Sequence, residues 1–273
     1  MLIIAISTLF SRLSNIKREQ FPIDERVKYV ISCQGEKKYD DEYYQLKLVE
    51  LFGHDVMWGE ELKLGLSNNR NNALQLVFNH YSEPDSYVYI CDDDIFPNLE
   101  GLFLAIEAMK VDKLTCLTGI IKTKNGDFKN YCHYPYQHTK LSAAKVCSVE
   151  ILINIDLIKY SNIFFDPKFG LGTNYPSGEE FIFLTDIISK GGKVGYRPIN
   201  LCTHPPLSSG DDFYSNNDKI IAKGAMFKRV FSFPLYYIMI IAFAIKKHKE
   251  YKKNISFFCF LKQILIGTIG NKS

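Results

Sequence analysis

Short apolar runs alternate with amphipathic stretches through the first two-thirds of the chain. Residues 2–6, 27–32, 87–91, 114–121 and 146–155 are rich in aliphatic and β-branched side chains and short enough to be buried strands. Residues 194–197, with the run on to 204, make one more. Between these runs the apolar positions move to helical spacing. Tyr44, Leu48 and Leu51 share one face of residues 40–52, and Ala73, Leu74, Val77 and Phe78 share one face of residues 68–81, with Ser67 placed as an N-cap. Residues 98–109 and 179–190 read as further helices, the latter closed by Gly191-Gly192. Residues 12–20 are polar and predict a short helix or loop. Residues 122–145 are polar, aromatic and irregular, so a mobile loop or edge ribbon is expected, and residues 164–178 carry the Gly and Pro of a loop. This alternation predicts an α/β domain over residues 1–215.

A different pattern fills residues 216–273. Residues 230–245 are sixteen positions without a charge, broken by Ser232 and Pro234. As a helix they span about 24 Å, short of a hydrocarbon core of about 30 Å. A lysine-rich segment, 246–253, separates them from a second apolar stretch, 255–269, that contains Lys262. The net charge of +3 conceals an asymmetry, because residues 219–273 carry +10 and the remainder −7. Short apolar faces beside lysine clusters suit amphipathic helices lying in a membrane interface better than they suit nucleic acid. A helical lid packed on the catalytic domain is the alternative.

With 273 residues, 47% of them hydrophobic, the chain can bury a core without metal or disulfide staples. Its seven cysteines are scattered and include no C-x-x-C, which points to free thiols in a reducing compartment. The opening segment has no basic n-region and too short an apolar run for a signal peptide, and reads as a buried strand.

Four segments carry candidate chemistry. The apolar run 87–91 leads directly into Asp92-Asp93-Asp94 and closes at Pro97. In open α/β sheets ligands bind beyond the carboxyl ends of strands, and hard divalent ions prefer oxygen ligands. In an extended stretch Asp92 and Asp94 point the same way and can share an ion, while Asp93 faces elsewhere. A solvated acidic turn would give the same letters. Gly178-Glu179-Glu180 opens a helix after a glycine-rich loop, where a general base can be held rigidly, although the helix dipole alone favours acids there. Arg70, in the segment 65–74, sits in the first turn of a helix, where anions are welcome, and could equally be a surface arginine. His204 ends a strand and could be structural. There is no nucleophile elbow, Walker loop or dinucleotide-binding glycine fingerprint.

In this order the segments resemble the family 2 inverting glycosyltransferases of the GT-A fold, over roughly residues 1–210. The first strand with Ser7-Thr8-Leu9-Phe10-Ser11-Arg12 looks like the family's nucleotide-contacting start. Gly65-Leu-Ser-Asn-Asn-Arg-Asn71 is similar to its G-L-S-x-x-R-N segment, and Asp92-Asp-Asp94 falls where its D-x-D motif belongs. Phe165-Asp-Pro-Lys-Phe-Gly170 and Gly178-Glu-Glu-Phe-Ile-Phe183 look like its acceptor loop and G-E-D-x-x-F motif. Lys223-Gly-Ala-Met-Phe-Lys-Arg229 resembles a segment of bacterial polysaccharide enzymes in this group. Gln34 stands where an acid usually reads the base, and Glu180 where Asp is usual.

The resemblance implies a Rossmann-like mixed sheet flanked by helices, with a C-terminal amphipathic helical appendage. It implies transfer of a sugar from a nucleotide-sugar donor, a UDP-sugar first among them, to a glycan or lipid-linked acceptor in surface polysaccharide assembly. Glu180 would be the base and Glu179 would orient the acceptor. Asp92, Asp94 and His204 would hold Mn²⁺ or Mg²⁺. Ser7, Thr8, Gln34, Arg70, Asp92 and Asp93 would contact the donor nucleotide. The expected place is the cytoplasmic face of the cell membrane, peripherally attached. A non-catalytic nucleotide or carbohydrate binder and a sugar-phosphate nucleotidyltransferase are the rival readings; the latter wants a glycine-rich loop after the first strand, and residues 7–12 contain no glycine.

Overall fold

A computed structural model describes residues 1–81, 83, 85–205, 214 and 216–270. Chain order begins with β1 (Leu2–Leu9), β2 (Val27–Gln34), α1 (Asp41–Phe52), β3 (Met57–Glu61), α2 (Leu66–His80) and β4 (Tyr87–Asp92). It continues with β5 (Phe96–Pro97), α3 (Leu99–Asp112), β6 (Cys116–Thr123), β7 (Gly126–Asp127), β8 (Tyr136–Gln137) and the short α4 (Lys140–Ala143). Then follow β9 (Ile151–Asn154), α5 (Ile155–Tyr160), α6 (Glu179–Ser189), β10 (Val194–Thr203), α7 (Asn217–Val230), α8 (Leu235–Tyr251) and α9 (Phe257–Ile269).

The strands form one mixed sheet in the order β3-β2-β1-β4-β9-β6-β10-β5. β3, β2, β1 and β4 are parallel neighbours, and β9 runs antiparallel between β4 and β6. Both faces of the central strands are covered, so their side chains are apolar almost without a break: β1 is buried from Leu2 to Thr8. One face packs with α1 and α3 through Tyr44, Leu48, Leu102, Ala105 and Met109. The other packs with α2 and α6 through Leu74, Val77, Phe181 and Phe183, and this core continues into α7, α8 and α9 through Phe227, Ile240, Tyr251, Phe260 and Ile264. The α/β class and the helix-flanked mixed sheet are therefore as expected.

Two local expectations are corrected. Ser67 is not an N-cap: α2 starts at Leu66 behind Gly65, whose φ of 119° is cheap only for glycine. Ser67 instead lies inside the helix and donates from Oγ to the Phe169 carbonyl at 2.5 Å. The run 146–155 is not one strand, because Ser148–Glu150 is a 3-10 turn and only Ile151–Asn154 pairs. Residues 12–20 fall in two 3-10 turns, Phe10–Asn15 and Arg18–Gln20.

In residues 122–145 the segment is partly ordered by β7, β8 and α4, and by buried Glu150, which accepts from Lys129 Nζ at 2.8 Å and Tyr131 Oη at 2.5 Å.

The boundary expected at 215–216 adjoins residues 206–213 and 215, which lie outside the described residues. Beyond it, α7 and α9 cross at two glycines. A Cβ on Gly224 would stand 1.7 Å from the Ile264 carbonyl oxygen, and one on Gly267 would stand 2.0 Å from that of Ile221. Only hydrogen at both positions permits this approach. Among the described residues no helix is long and apolar enough to cross a membrane. The outer side of α8 nevertheless exposes Leu235, Ile238, Ile241 and Ile245 at helical spacing, followed by Lys249 and Lys252.

Candidate active site

Strand order reverses between β1 and β4, since β1 is flanked by β2 on one side and β4 on the other. The carboxyl ends of these two strands splay around a cleft, as open α/β sheets do at such a switch point. The cleft holds about 530 Å³. Ser7, Thr8 and Leu9 line it from β1, Gln34 from β2, and Gly65, Leu66 and Asn69 from the start of α2. Asp92, Asp93, Asp94, Arg12 and His204 form the far wall, and Leu171 with Gly172 hangs over the rim.

The three aspartates have three different surroundings. Asp93 is buried and turned to β1, accepting from Thr8 Oγ1 and Arg12 Nη2, both at 2.5 Å. Burial pushes its carboxyl above the usual range, while Thr8 and Arg12 pull the other way. Asp92 accepts from Arg70 Nη2 at 3.2 Å and Ser148 Oγ at 3.4 Å. Asp94 is half exposed, with Oδ1 3.7 Å from His204 Nε2 and Oδ2 3.4 Å from Arg12 Nη2.

Among the described residues no three carboxylate, imidazole or thiol groups converge into a cluster, and Asp92 is paired with Arg70. Asp94 and His204 do fit a cation as a pair. His204 Nδ1 lies 2.6 Å from the Pro205 carbonyl, which can only accept, so the Nδ1 proton goes there. In the neutral ring Nε2 then presents a lone pair towards the Asp94 carboxylate, two acceptors with no proton between them.

Behind the cleft, α2 and α6 meet around Arg70. This side chain is 2% exposed, with Nη1 3.3 Å from Glu179 Oε1 and 3.6 Å from Glu180 Oε1. Its guanidinium carbon lies 5.5 Å above the Phe165 ring, which stacks on Phe183 of α6 at 4.3 Å. Glu180 titrates well above the ordinary carboxylate range. Burial is the main cause and Glu179 adds to it, with Arg70 opposing. Arg70 thus bridges the aspartate wall to the two glutamates rather than lining the cleft.

The polar face of α2 ties the site together. Asn71 exchanges two hydrogen bonds of 2.8 Å with the Phe165 backbone, Ser67 holds Phe169, and Leu66 N donates to the Leu171 carbonyl at 2.8 Å. The loop between α5 and α6 is therefore anchored on α2 at three points. Gln34 spends its amide on backbone as well, donating to the Lys63 and Gly65 carbonyls and accepting from Gly65 N at 3.3 Å. Ser7 lines the cleft, and its hydroxyl makes no hydrogen bond among the described residues.

Three residues around the site were not singled out in the sequence. Arg12 was quoted only within a motif, yet it holds Asp93 and Asp94. Asn69 is buried in the cleft wall with Nδ2 on the Thr8 carbonyl and Oδ1 unpartnered. Lys223 of α7 feels Glu180 and Glu179 as its leading carboxylates. Arg12, Asn69 and Lys223 all stand inside recognisable motifs, but nothing along the chain joins Lys223 to Glu180, 43 positions away.

No protein-family model matches the sequence, and no curated protein matches it. Solved structures do resemble the fold. A structure of residues 1–349 of Staphylococcus aureus TarS with UDP-GlcNAc superposes with a TM-score of 0.58 at 14% identity, covering 92% of this chain and 73% of that one. The mannosyltransferase PcManGT of Pyrobaculum calidifontis, in complex with GDP-Man and Mn²⁺, gives 0.57 at 10% identity, with 100% and 88% covered. GalNAc-T7 with UDP, GalNAc and Mn²⁺ gives 0.56 at 13%, with 96% and 56% covered. The fold is the GT-A fold of glycosyltransferases.

Proposed function

We infer that this chain is a metal-dependent glycosyltransferase that moves a sugar from a nucleotide-sugar donor to a glycan or lipid-linked acceptor by an inverting single displacement. The observation that carries this reading is the pairing of two carboxylate systems across one buried arginine. Asp92–Asp94 stand at the donor-side wall, and Glu179 and Glu180 open α6 beyond Arg70. The GT-A likeness supports it, as do the nucleotide sugars and Mn²⁺ named for the neighbouring structures.

The donor nucleotide would lie along the ends of β1 and β2. Ser7 and Thr8 offer hydroxyls there, and the second lone pair of Gln34 Oε1 and the unpartnered Asn69 Oδ1 offer acceptors to base or ribose. Asp94 with His204 would hold Mn²⁺ or Mg²⁺ together with donor diphosphate oxygens. Bound there, the cation supplies charge neutralisation to the leaving diphosphate. Arg12 fixes Asp93 and adds a positive charge at the same wall. Glu180 takes the proton from the acceptor hydroxyl, its raised affinity for protons suiting it to that step near neutral pH. Glu179 and Arg70 orient it.

The apolar, lysine-flanked outer side of α8 supports attachment to the surface of an anionic bilayer, where a lipid-linked acceptor would be at hand. Surface polysaccharide assembly on the inner face of a bacterial cell membrane is the setting this implies.

The testing experiment is the thermal stability of the purified protein with UDP, GDP or TDP, each with and without Mn²⁺. A rise that needs both UDP and metal supports a UDP-sugar donor. A rise with GDP or TDP keeps the enzyme class and changes the donor. No rise with any pair overturns the donor-site assignment in favour of a non-catalytic protein of the same fold.

A further inference from the structure

α7 belongs to the basic tail by composition, yet it packs against the start of α6. Gly178, immediately before α6, is pressed against Met226: a Cβ there would lie 2.8 Å from Met226 Sδ. Lys223 precedes Met226 by three positions and so shares its helical face, directed towards the start of α6. Gly224, next to it, is locked against Ile264 of α9, which leaves α7 little freedom to turn away.

Lys223 makes no ion pair or hydrogen bond among the described residues, and burial depresses its proton affinity. The carboxylates that act on it most, Glu180 and Glu179, are already held by Arg70. The other charges that reach it, Lys247 and Lys219, repel it. A half-buried ammonium without a counter-ion is costly, and a general base crowded by other carboxylates does not need a free lysine to neutralise it twice. Ser177, the residue before Gly178, has a buried Oγ with no hydrogen-bond partner among the described residues.

We propose that Lys223 and the edge of α6 at Ser177 form an acceptor subsite for an anionic oxygen group, a phosphate or a sugar carboxylate, seated next to the hydroxyl that Glu180 deprotonates. The proposal rests on the glycosyltransferase reading and narrows it to acidic acceptors. A neutral glycan would leave the ammonium unpaired on binding, whereas an anion restores its balance and fixes the register of the attacking hydroxyl. The role is recognition; Lys223 takes no part in proton transfer.

The experiment uses the full chain saturated with UDP and Mn²⁺, so that the diphosphate region is filled, and titrates inorganic phosphate or glucuronate against chloride at equal ionic strength. Thermal stability is the readout. The expected result is a saturable rise with one of the two anions, retained in Lys223→Arg, with half-saturation raised at least about tenfold in Lys223→Met, the loss of one charge-assisted hydrogen bond. A phosphate response assigns a phosphorylated acceptor, and a glucuronate response assigns a uronic acid. The UDP–Mn²⁺ rise persisting in Lys223→Met shows that this variant folds; Lys223→Gln serves if it does not. No anion response in the wild type, or an equal response in the variants, overturns the subsite. Loss of the UDP–Mn²⁺ rise in the wild type removes the donor reading itself, and the subsite with it.

Discussion

Arg70 Nη1 on α2 lies 3.3 Å from Oε1 of Glu179 on α6, and both side chains are buried. Because Nη2 of the same guanidinium reaches Asp92, one cation holds the donor-side and base-side carboxylates at a fixed spacing. Replacing Arg70 by Met leaves two or three carboxylates without their counter-charge, a loss of about 3–5 kcal/mol for a buried pair with one partner removed. Urea denaturation checks this. Arg70→Lys keeps the charge but not the fork, and should recover only part of the stability.

Glu180→Gln should lower turnover by about 10²–10⁴-fold while UDP still stabilises the protein, because the base is removed and the donor wall is untouched. Equal turnover in this variant would refute the base assignment.

The proton affinity of Glu180 has two further consequences. Its carboxyl is raised from 4.5 to about 8 in the folded chain, so activity should climb with pH towards that value as the base is freed. Stability should move the other way. Across this window the folded chain keeps a proton that the unfolded chain has released, so folding weakens as pH rises. Chemical denaturation of wild type and Glu180→Gln at pH 5 and pH 9 tests the sign: the variant should lose less stability over that interval.

Asp94→Asn should abolish the metal-dependent part of the nucleotide response and leave any metal-independent part. Asp94 and its partner Arg12 are both half exposed, and an asparagine amide can still face buried His204, so little stability is lost. His204→Ala should weaken the Mn²⁺ requirement in the same direction. Isothermal titration of Mn²⁺ into the UDP-saturated protein distinguishes the two variants from wild type; unchanged Mn²⁺ affinity in both would remove the pair as ligands.

The outer side of α8 gives a test that leaves the site alone. Ile241 and Ile245 are exposed and contribute nothing to the core. Changing both to Asp should weaken sedimentation with vesicles containing anionic lipid by at least about tenfold, from lost apolar burial of roughly 1.5–3 kcal/mol per side chain. The melting temperature should stay put. Carbonate should release the wild-type protein from membranes; retention would favour insertion.

Much of the α/β order was legible because buried parallel strands must be continuously apolar and their covering helices amphipathic, as in β1 and α2. The Asp92–Asp94 cluster was legible for a related reason: polar residues that abruptly end an apolar strand fall at its carboxyl end. The misreadings came where a distant segment overrode the local signal. Ser67 has the chemistry of an N-cap, but Gly65 supplies the turn and Phe169 claims the hydroxyl.

The sequence by itself determined the central strands, most of the helices that cover them and the acidic turn, since these follow from period, composition and neighbours along the chain. Only the tertiary structure decided which charges meet. Arg70, Asp92 and Glu179 are brought together from three elements, and Lys223 reaches the same place from a segment that composition assigns to the tail. Charge pairing acts through space over a few ångströms, and no pattern read along one dimension records that distance.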